Sequence, residues 1–215
     1  MTEKQYGIIG KPVSHSLSPT LHNFWLKKNN LKANYSLIEI EKKEIKLIIN
    51  KIRTKELQGI NVTVPYKQDV IPYLDLIIND SKETHSVNTI YLDAENNIVG
   101  ENTDVYGFEK SFINKLNSKN LLNKKFFIFG AGGVAPSLIY ALKKNNIKKI
   151  FLSNRTLKKA EDIKNKFPFI KIVPWDEVVQ KSEDMDIIIN ATSLGMKNSL
   201  DFEMQIKRFK PDLIY

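Results

Sequence analysis

Short apolar strands alternate with helices through the second half of this chain, and this alternation limits the fold more than any other feature of the sequence. Strands are predicted at residues 126–129, 150–152, 170–173 and 187–189, and helices at residues 134–145 and 157–166. Apolar strands separated by helices are typical of a parallel sheet that is covered on both faces. We therefore expect a doubly wound α/β domain at residues 105–215.

The first half of the chain also alternates, and 215 residues are enough for two domains. Strands are predicted at residues 6–10, 35–40 and 60–64, a hairpin at 87–100, and helices from Ser18, over 41–56 and from Asp104. Ser18 is predicted as the N-cap of its helix, with Pro19 as the first helical residue. We expect an α/β domain at residues 1–104, with Asp104 at the mouth of a cleft between the two domains.

A glycine-rich turn follows the strand at residues 126–129. Its residues are Gly130, Ala131, Gly132, Gly133 and Val134. Glycines let the backbone approach a pyrophosphate, and the N-terminus of the next helix stabilises the negative charge. A dinucleotide site of the Rossmann type is predicted here, and the alternative is an ordinary tight turn between strand and helix.

The residues after the second strand of this domain favour NADP(H) over NAD. An NAD site usually has a carboxylate there, whereas this chain has Asn154, Arg155 and Thr156, followed by Lys159. A guanidinium suits the 2′-phosphate of NADP because its planar fork matches phosphate oxygens. The alternative is that Thr156 only caps the next helix and Arg155 is solvated.

Lys67 follows the apolar strand at residues 60–64 and is predicted to lie in the first turn of a helix that begins with Pro65. A cation is slightly disfavoured there by the helix dipole, which suggests a function other than solubility. Asp104 is a possible partner, because a lysine and an aspartate facing one site form a plausible proton-transfer pair.

Other polar side chains lie at helix starts or beside apolar strands. Ser16 and Ser18 could bind a substrate carboxylate at a helix N-terminus, although Ser18 could equally be a simple N-cap. Asn61, Thr63, Asn88 and Asn102 need hydrogen-bond partners if they are buried. A bound polyol or neighbouring backbone groups could supply those partners.

The composition excludes several classes of protein. The chain has no cysteine and only three histidines, which argues against disulfides and metal sites. No apolar run reaches the ~20 residues that span a bilayer, and the N-terminus shows no signal peptide, so we expect a cytoplasmic protein. The formal net charge is +9, but the lysines are spread along the chain, so we expect no nucleic-acid partner.

Together these segments resemble the shikimate dehydrogenase family, in order along nearly the whole chain. The matching segments are residues 10–12, 15–19, 22–23, 59–67, 87–89, 100–107, 130–135, 154–156 and 190–196. The resemblance implies an N-terminal α/β substrate domain, a Rossmann-like NADP domain, and NADPH-dependent reduction of 3-dehydroshikimate to shikimate in aromatic amino-acid biosynthesis.

The resemblance also implies roles for individual residues. Ser16 and Ser18 bind the substrate carboxylate, Thr63, Asn88 and Asp104 bind its hydroxyls, and Lys67 with Asp104 transfers the proton. The implied cofactor-binding residues are Gly130, Ala131, Gly132, Gly133, Val134, Asn154, Arg155, Thr156, Lys159 and Thr192.

The chain departs from the family pattern at two places. His85-Ser86 stands where the family usually has Gly-Ala. The chain also ends at Tyr215, where family members continue with further residues of the site and with helices, so we expect a fragment with weak activity and poor stability. Alternative functions are a quinate/shikimate dehydrogenase that uses NAD and a non-catalytic NADP-binding relative. The expected oligomeric state is a monomer or homodimer.

Overall fold

The computed structural model describes residues 3–116, residues 121–194 and the backbone of residues 213–214. The strands are β1 (Lys4–Gly10), β2 (Ala33–Glu39), β3 (Gly59–Val62), β4 (Leu76–Ile77), β5 (Thr89–Leu92), β6 (Ile98–Glu101), β7 (Phe126–Phe129), β8 (Ile150–Ser153), β9 (Lys171–Ile172), β10 (Ile187–Asn190) and β11 (Leu213–Ile214). The α-helices are α1 (Ser18–Lys28), α2 (Ile45–Arg53), α3 (Asp80–Thr84), α4 (Asp104–Phe108), α5 (Ala135–Lys144), α6 (Leu157–Lys166) and α7 (Val178–Ser182).

The chain divides into two compact units, Met1–Asp104 and Val105–Tyr215. The first contains a mixed sheet with the strand order β2-β1-β3-β5-β6-β4, in which β5 is antiparallel to both of its neighbours. The second contains a sheet with the order β11-β10-β7-β8-β9, in which every pair of strands is parallel. The α/β class and the doubly wound second sheet predicted from the sequence are therefore confirmed.

Apolar side chains at helical spacing form the core of the first unit. Ile45, Ile48, Ile49 and Ile52 of α2 are all buried, and they pack on one face of the mixed sheet. In the second unit all four residues of β7 are buried, because helices cover both faces of its sheet. Burial on both faces explains why β7 contains no polar residue.

The predicted helix at Lys67 is wrong. Residues 64–70 form turns, and only a short 3₁₀-helix follows at Ile71–Tyr73. The Tyr66 N–H donates to the Thr63 carbonyl at 3.0 Å, which closes a tight turn. The Lys67 carbonyl accepts from the Val87 N–H at 2.8 Å, so a long-range bond takes the acceptor that a regular helix would use.

Smaller differences concern helix starts and short elements. Ser18 is the first residue of α1, and Leu17 holds the N-cap position. The Ser18 hydroxyl oxygen accepts from the Ser16 hydroxyl at 3.1 Å. The helix predicted over 41–56 is a 3₁₀ turn at Lys42–Glu44 followed by α2. The sequence pattern did not predict β4, α3 or α7, which have two to five residues each.

Candidate active site

Three chain segments with polar side chains meet at one edge of the mixed sheet. Thr63 follows β3, Asn88 precedes β5, and Asp104 comes shortly after β6. Because β5 runs antiparallel between β3 and β6, its start lies beside the ends of both neighbours. The Asn88 backbone joins the three strands, since its carbonyl accepts from the Val62 N–H at 2.8 Å and its N–H donates to the Glu101 carbonyl at 3.0 Å.

Lys67 and Asp104 form an ion pair at this edge. The Lys67 Nζ lies 2.8 Å from Asp104 Oδ2, and Lys67 is only 8% exposed. The other carboxylate oxygen, Asp104 Oδ1, accepts from Asn88 Nδ2 at 2.8 Å. A lysine ammonium has three donors and Asp104 uses one, so this ammonium can also donate to a ligand. The pair has the composition that proton transfer requires, with a cationic donor held by a carboxylate.

Asn88 is held by a second layer of hydrogen bonds. Its Oδ1 accepts from the Thr103 N–H at 3.0 Å and from the Thr89 hydroxyl at 3.1 Å. Asn61 Nδ2 donates to the Asn88 carbonyl at 3.2 Å, and Asn61 Oδ1 accepts from the Tyr35 hydroxyl at 2.7 Å. Burial raises the pKa of Tyr35, so this hydroxyl keeps its proton and remains a donor at neutral pH.

Tyr35 carries no sequence signal that predicts its place in this network, and the sequence assigns Asn61 and Asn102 no specific role. The polar positions of Asn61 and Asn102 beside apolar strands signalled that both needed partners, and the structure supplies them from neighbouring backbone and side chains. Tyr35 carried no such signal, because a buried tyrosine in a strand is ordinary packing.

The loop after β1 brings Ser16 and Ser18 together. Their hydroxyls are 3.1 Å apart, and the Ser18 N–H also donates to the Ser16 hydroxyl oxygen at 3.3 Å. Thr63 lies against the end of β1, where a Cβ added to Gly10 would be 2.5 Å from the Thr63 Cγ2. Hydrogen bonds thus join Lys67, Asn88 and Asp104 in one cluster and the two serines in another.

In the second unit, the glycine turn lies between the ends of three strands. Gly130 has a φ of +102°, and a Cβ there would be 2.7 Å from the Ala191 carbonyl oxygen. The same Cβ would lie 2.9 Å from the Cγ2 of Thr192, whose hydroxyl donates to Asn190 Oδ1 at 2.7 Å. Only glycine fits at Gly130, whereas a Cβ at Gly132 would contact the Ala191 oxygen at 3.9 Å.

Asn154 connects the glycine turn to the loop after β8. Its Oδ1 accepts from the Ala131 N–H at 2.9 Å, and its Nδ2 donates to the Thr156 carbonyl at 2.8 Å. Thr156 occupies the N-cap position of α6, but its side chain makes no capping hydrogen bond. The prediction that Thr156 lies at the helix start is therefore correct. The alternative prediction, that the Thr156 side chain caps this helix, is wrong.

These residues fit a phosphate-bearing dinucleotide. The first turn of α5 contains no acidic residue, so no carboxylate competes with an anion at the positive end of this helix. Val134 holds its N-cap position, and among the described residues a Cβ at Gly132 would meet nothing closer than the Ala191 oxygen at 3.9 Å. Arg155 and Lys159 are exposed, whereas Lys158 is paired with Asp162 at 3.0 Å.

Among the described residues, no helix is long and apolar enough to cross a membrane. Residues 3–116 and 121–194 contain no group of three histidine or acidic side chains arranged to hold a metal ion. Of the motif at residues 190–196, Gly195 and Met196 lie outside the described residues.

Comparisons with known proteins match both halves of the chain to one family. Residues 8–90 match the family model described as "Shikimate dehydrogenase substrate binding domain", and residues 113–207 match "Shikimate / quinate 5-dehydrogenase". The shikimate dehydrogenase (NADP(+)) of Pelagibacter ubique is 43% identical over 213 residues, which are 99% of this chain and 78% of that protein.

Solved structures agree with this match. The crystal structure of shikimate dehydrogenase from Aquifex aeolicus superposes with a TM-score of 0.85 at 37% identity, covering 97% of this chain and 76% of that one. The Thermus thermophilus enzyme, solved in complex with NADP(H) and shikimate, gives a TM-score of 0.80 at 25% identity, covering 98% and 76%. Both halves of the chain match models of one family, a relative is 43% identical, and the solved structures have the same fold. The chain therefore belongs to the shikimate dehydrogenase family.

Proposed function

We propose that this protein catalyses the NADPH-dependent, reversible reduction of 3-dehydroshikimate to shikimate, a step of chorismate and aromatic amino-acid biosynthesis. The observation that carries the proposal is the 2.8 Å contact between Lys67 Nζ and Asp104 Oδ2, with Asn88 on the other carboxylate oxygen. Its relatives are named as NADP-dependent shikimate dehydrogenases, which supports the same reaction for this chain.

In this proposal residues 1–104 bind the substrate and residues 105–215 bind the cofactor. Ser16 and Ser18 hold the substrate carboxylate, and the contact between their hydroxyls supports a joint role. Thr63, Asn88 and Asp104 bind the ring hydroxyls, which need several donors and acceptors within a small space.

Lys67 acts on the oxygen of the substrate carbonyl. The hydride for the carbonyl carbon would come from NADPH when this cofactor is bound. The Lys67 ammonium stabilises the negative charge that develops on the oxygen and donates the proton that completes the alcohol. Asp104 orients the ammonium, and in the reverse reaction neutral Lys67 accepts the proton.

NADP(H) is the cofactor in this proposal. Gly130, Ala131, Gly132, Gly133 and Val134 would hold the pyrophosphate, and Thr192 borders this turn. Arg155 and Lys159 would bind the 2′-phosphate, and Asn154 and Thr156 shape the loop that presents them. The acid-free first turn of α5 and the exposed cations support this assignment.

Turnover of the purified 215-residue chain tests the proposal. We expect oxidation of shikimate with NADP⁺, and faster rates with NADP⁺ than NAD⁺ and with shikimate than quinate. Preference for quinate with NAD⁺ would favour the quinate/shikimate alternative, which the description of the second family model leaves open. Binding of NADP⁺ without turnover would identify a non-catalytic relative. Cytoplasmic location and a monomeric or homodimeric state stay predictions.

A further inference from the structure

Asn102 lies two residues before Asp104 and is only 3% exposed. Its Oδ1 accepts from the Asp104 N–H at 3.0 Å, and its Nδ2 donates to the Ser86 carbonyl at 2.8 Å. Asp104 is the first residue of α4, so its N–H is one of the donors that a helix itself leaves without an acceptor. The Asn102 side chain therefore fixes the start of α4 relative to the segment around Ser86.

The segment at residues 86–88, which we name the bridging segment, also holds Lys67. The Val87 N–H donates to the Lys67 carbonyl at 2.8 Å. Asn88 Nδ2 donates to Asp104 Oδ1 at 2.8 Å. The bridging segment thus holds the backbone of Lys67 and the carboxylate of Asp104 directly. It holds the backbone of Asp104 through Asn102.

Because both members of the ion pair are tied to the bridging segment, the contact between Asn102 and Ser86 helps to set the distance between them. Proton transfer depends steeply on such distances, and a misplacement of about 1 Å can cost about a hundredfold in rate. Asn102 is buried and bonds to the Asp104 N–H, to the Ser86 carbonyl and, at 3.5 Å, to the Thr84 hydroxyl, so it acts on the ion pair through the residues that it holds in place.

We propose that Asn102 is a positioning residue, which holds the Asp104 carboxylate against Lys67 by joining the Asp104 N–H to the Ser86 carbonyl. This inference rests on the proposed function, since it assigns Asn102 to the proton-transfer step. It predicts that the contribution of Asn102 to the rate depends on the carboxylate of Asp104.

A double-mutant cycle on the full chain tests this dependence. Asn102→Ser retains an oxygen near the Asp104 N–H but is too short to reach Ser86, and it should lower kcat about tenfold. In an Asp104→Asn background the same substitution should lower kcat by less than about twofold, because coupled residues are not additive. Thermal unfolding of each variant checks that the fold is kept.

Ser81→Ala is the matched control. Ser81 is fully buried in the same unit, and its hydroxyl donates to the carbonyls of Ile78 and Gly100. Its loss should reduce stability while changing kcat by less than about twofold in both backgrounds. The inference would be overturned if Asn102→Ser lowered kcat by the same factor in both backgrounds. It would also be overturned if Ser81→Ala lowered kcat as much as Asn102→Ser does.

The unmodified chain is assayed first, so that the two proposals can fail separately. If it shows no turnover, the proposed function fails and the inference is judged from a crystal structure of the Asn102→Ser variant. A Lys67–Asp104 separation beyond hydrogen-bonding distance would support the positioning role. A separation that stays at 2.8 Å would overturn it.

Discussion

At the scale of single residues, the chemistry concentrates on a lysine that the fold almost removes from water. Lys67 has a side-chain exposure of 10% and meets a carboxylate whose second oxygen is already bound to Asn88. A buried charge of this kind is costly unless it is paired and hydrogen-bonded. Its cost to the fold is therefore consistent with a site selected for catalysis.

Replacing Lys67 by alanine should remove the proton donor and the positive charge together. We expect kcat to fall by about 10²–10⁴-fold with little change in the dissociation constant of shikimate, measured by steady-state kinetics and by direct titration. Lys42→Ala is the control, because Lys42 also pairs with an aspartate, Asp69 at 2.6 Å, but is 73% exposed. A loss confined to shikimate binding would contradict the proton-transfer role of Lys67.

His85 explains one departure from the family pattern. Its φ of 47° lies in the left-handed region, where glycine is favoured and where the family usually has glycine. A side chain in this region costs about 1–2 kcal/mol, and His85→Gly removes this strain. Glycine also gives the unfolded chain more entropy, which offsets part of the gain, so the free energy of unfolding should rise by about 1 kcal/mol. Urea denaturation measures the change.

Asn96→Gly is the matched control for His85→Gly. Asn96 has a φ of 63°, but asparagine tolerates this region better than histidine. The control should therefore gain less stability. If His85→Gly gains no more than Asn96→Gly, backbone strain is not what distinguishes His85.

At the scale of elements, single side chains join loops that the strands only bring near each other. Asn154 joins the turn after β7 to the loop after β8, and Asp75 joins the end of α2 to the start of β6. The bonds of Asn154 to Ala131 and of Asp75 to Arg53 and Ile98 span segments that are distant in sequence, so they fix loop conformations that local propensity leaves undetermined.

Asn154→Ala should loosen both loops of the predicted cofactor site. The Ala131 N–H and the Thr156 carbonyl lose their partner, at a cost of about 1–3 kcal/mol. We expect the dissociation constant of NADP⁺, measured by calorimetry, to rise about tenfold. Asn145→Ala, which removes bonds to Glu109 and Ala141 at the other end of α5, should leave this constant unchanged. Equal effects of the two substitutions would exclude a specific role for Asn154.

Asp75 should make the stability of the first unit depend on acidic pH. The Ile98 N–H, and then the Arg53 guanidinium, hold the pKa of Asp75 below its ordinary value. A depressed pKa in the folded state gives stability that is present above the unfolded pKa of about 3.9 and is lost as pH falls through the folded pKa.

Unfolding by urea between about pH 2 and pH 5 measures this dependence. The Asp75→Asn chain should lose stability less steeply with acid than the unmodified chain. Arg53→Met retains the Ile98 bond, so most of the slope should survive in that variant. An unchanged slope in Asp75→Asn would show that other carboxylates account for the acid sensitivity.

At the scale of the whole molecule, the chain consists of two units with separate apolar cores. The Ile-rich core under α2 belongs to the first unit, and the clusters on both faces of β7 belong to the second. Each unit contains one tryptophan, Trp25 or Trp175, so fluorescence can report on one unit at a time.

A cofactor that binds only the folded state should stabilise the second unit. In a Trp25→Phe chain, NADP⁺ at about 100 times its dissociation constant should raise the free energy of unfolding reported by Trp175 by about 2.7 kcal/mol. NAD⁺ at the same concentration should give a smaller increase, because it lacks the 2′-phosphate that Arg155 is proposed to bind. Equal increases would contradict the assignment of Arg155.

By itself, the sequence determined the features that depend on neighbours in the chain. The period of Ile45, Ile48, Ile49 and Ile52 specified α2, and the unbroken apolar run at 126–129 specified a strand buried on both faces. Only the tertiary structure decided the features that depend on long-range hydrogen bonds. Lys67 meets Asp104 across 37 residues of sequence because antiparallel β5 lies between β3 and β6. The predicted helix at Lys67 failed because Val87, from the loop before β5, takes the Lys67 carbonyl, and no local pattern encodes that partner.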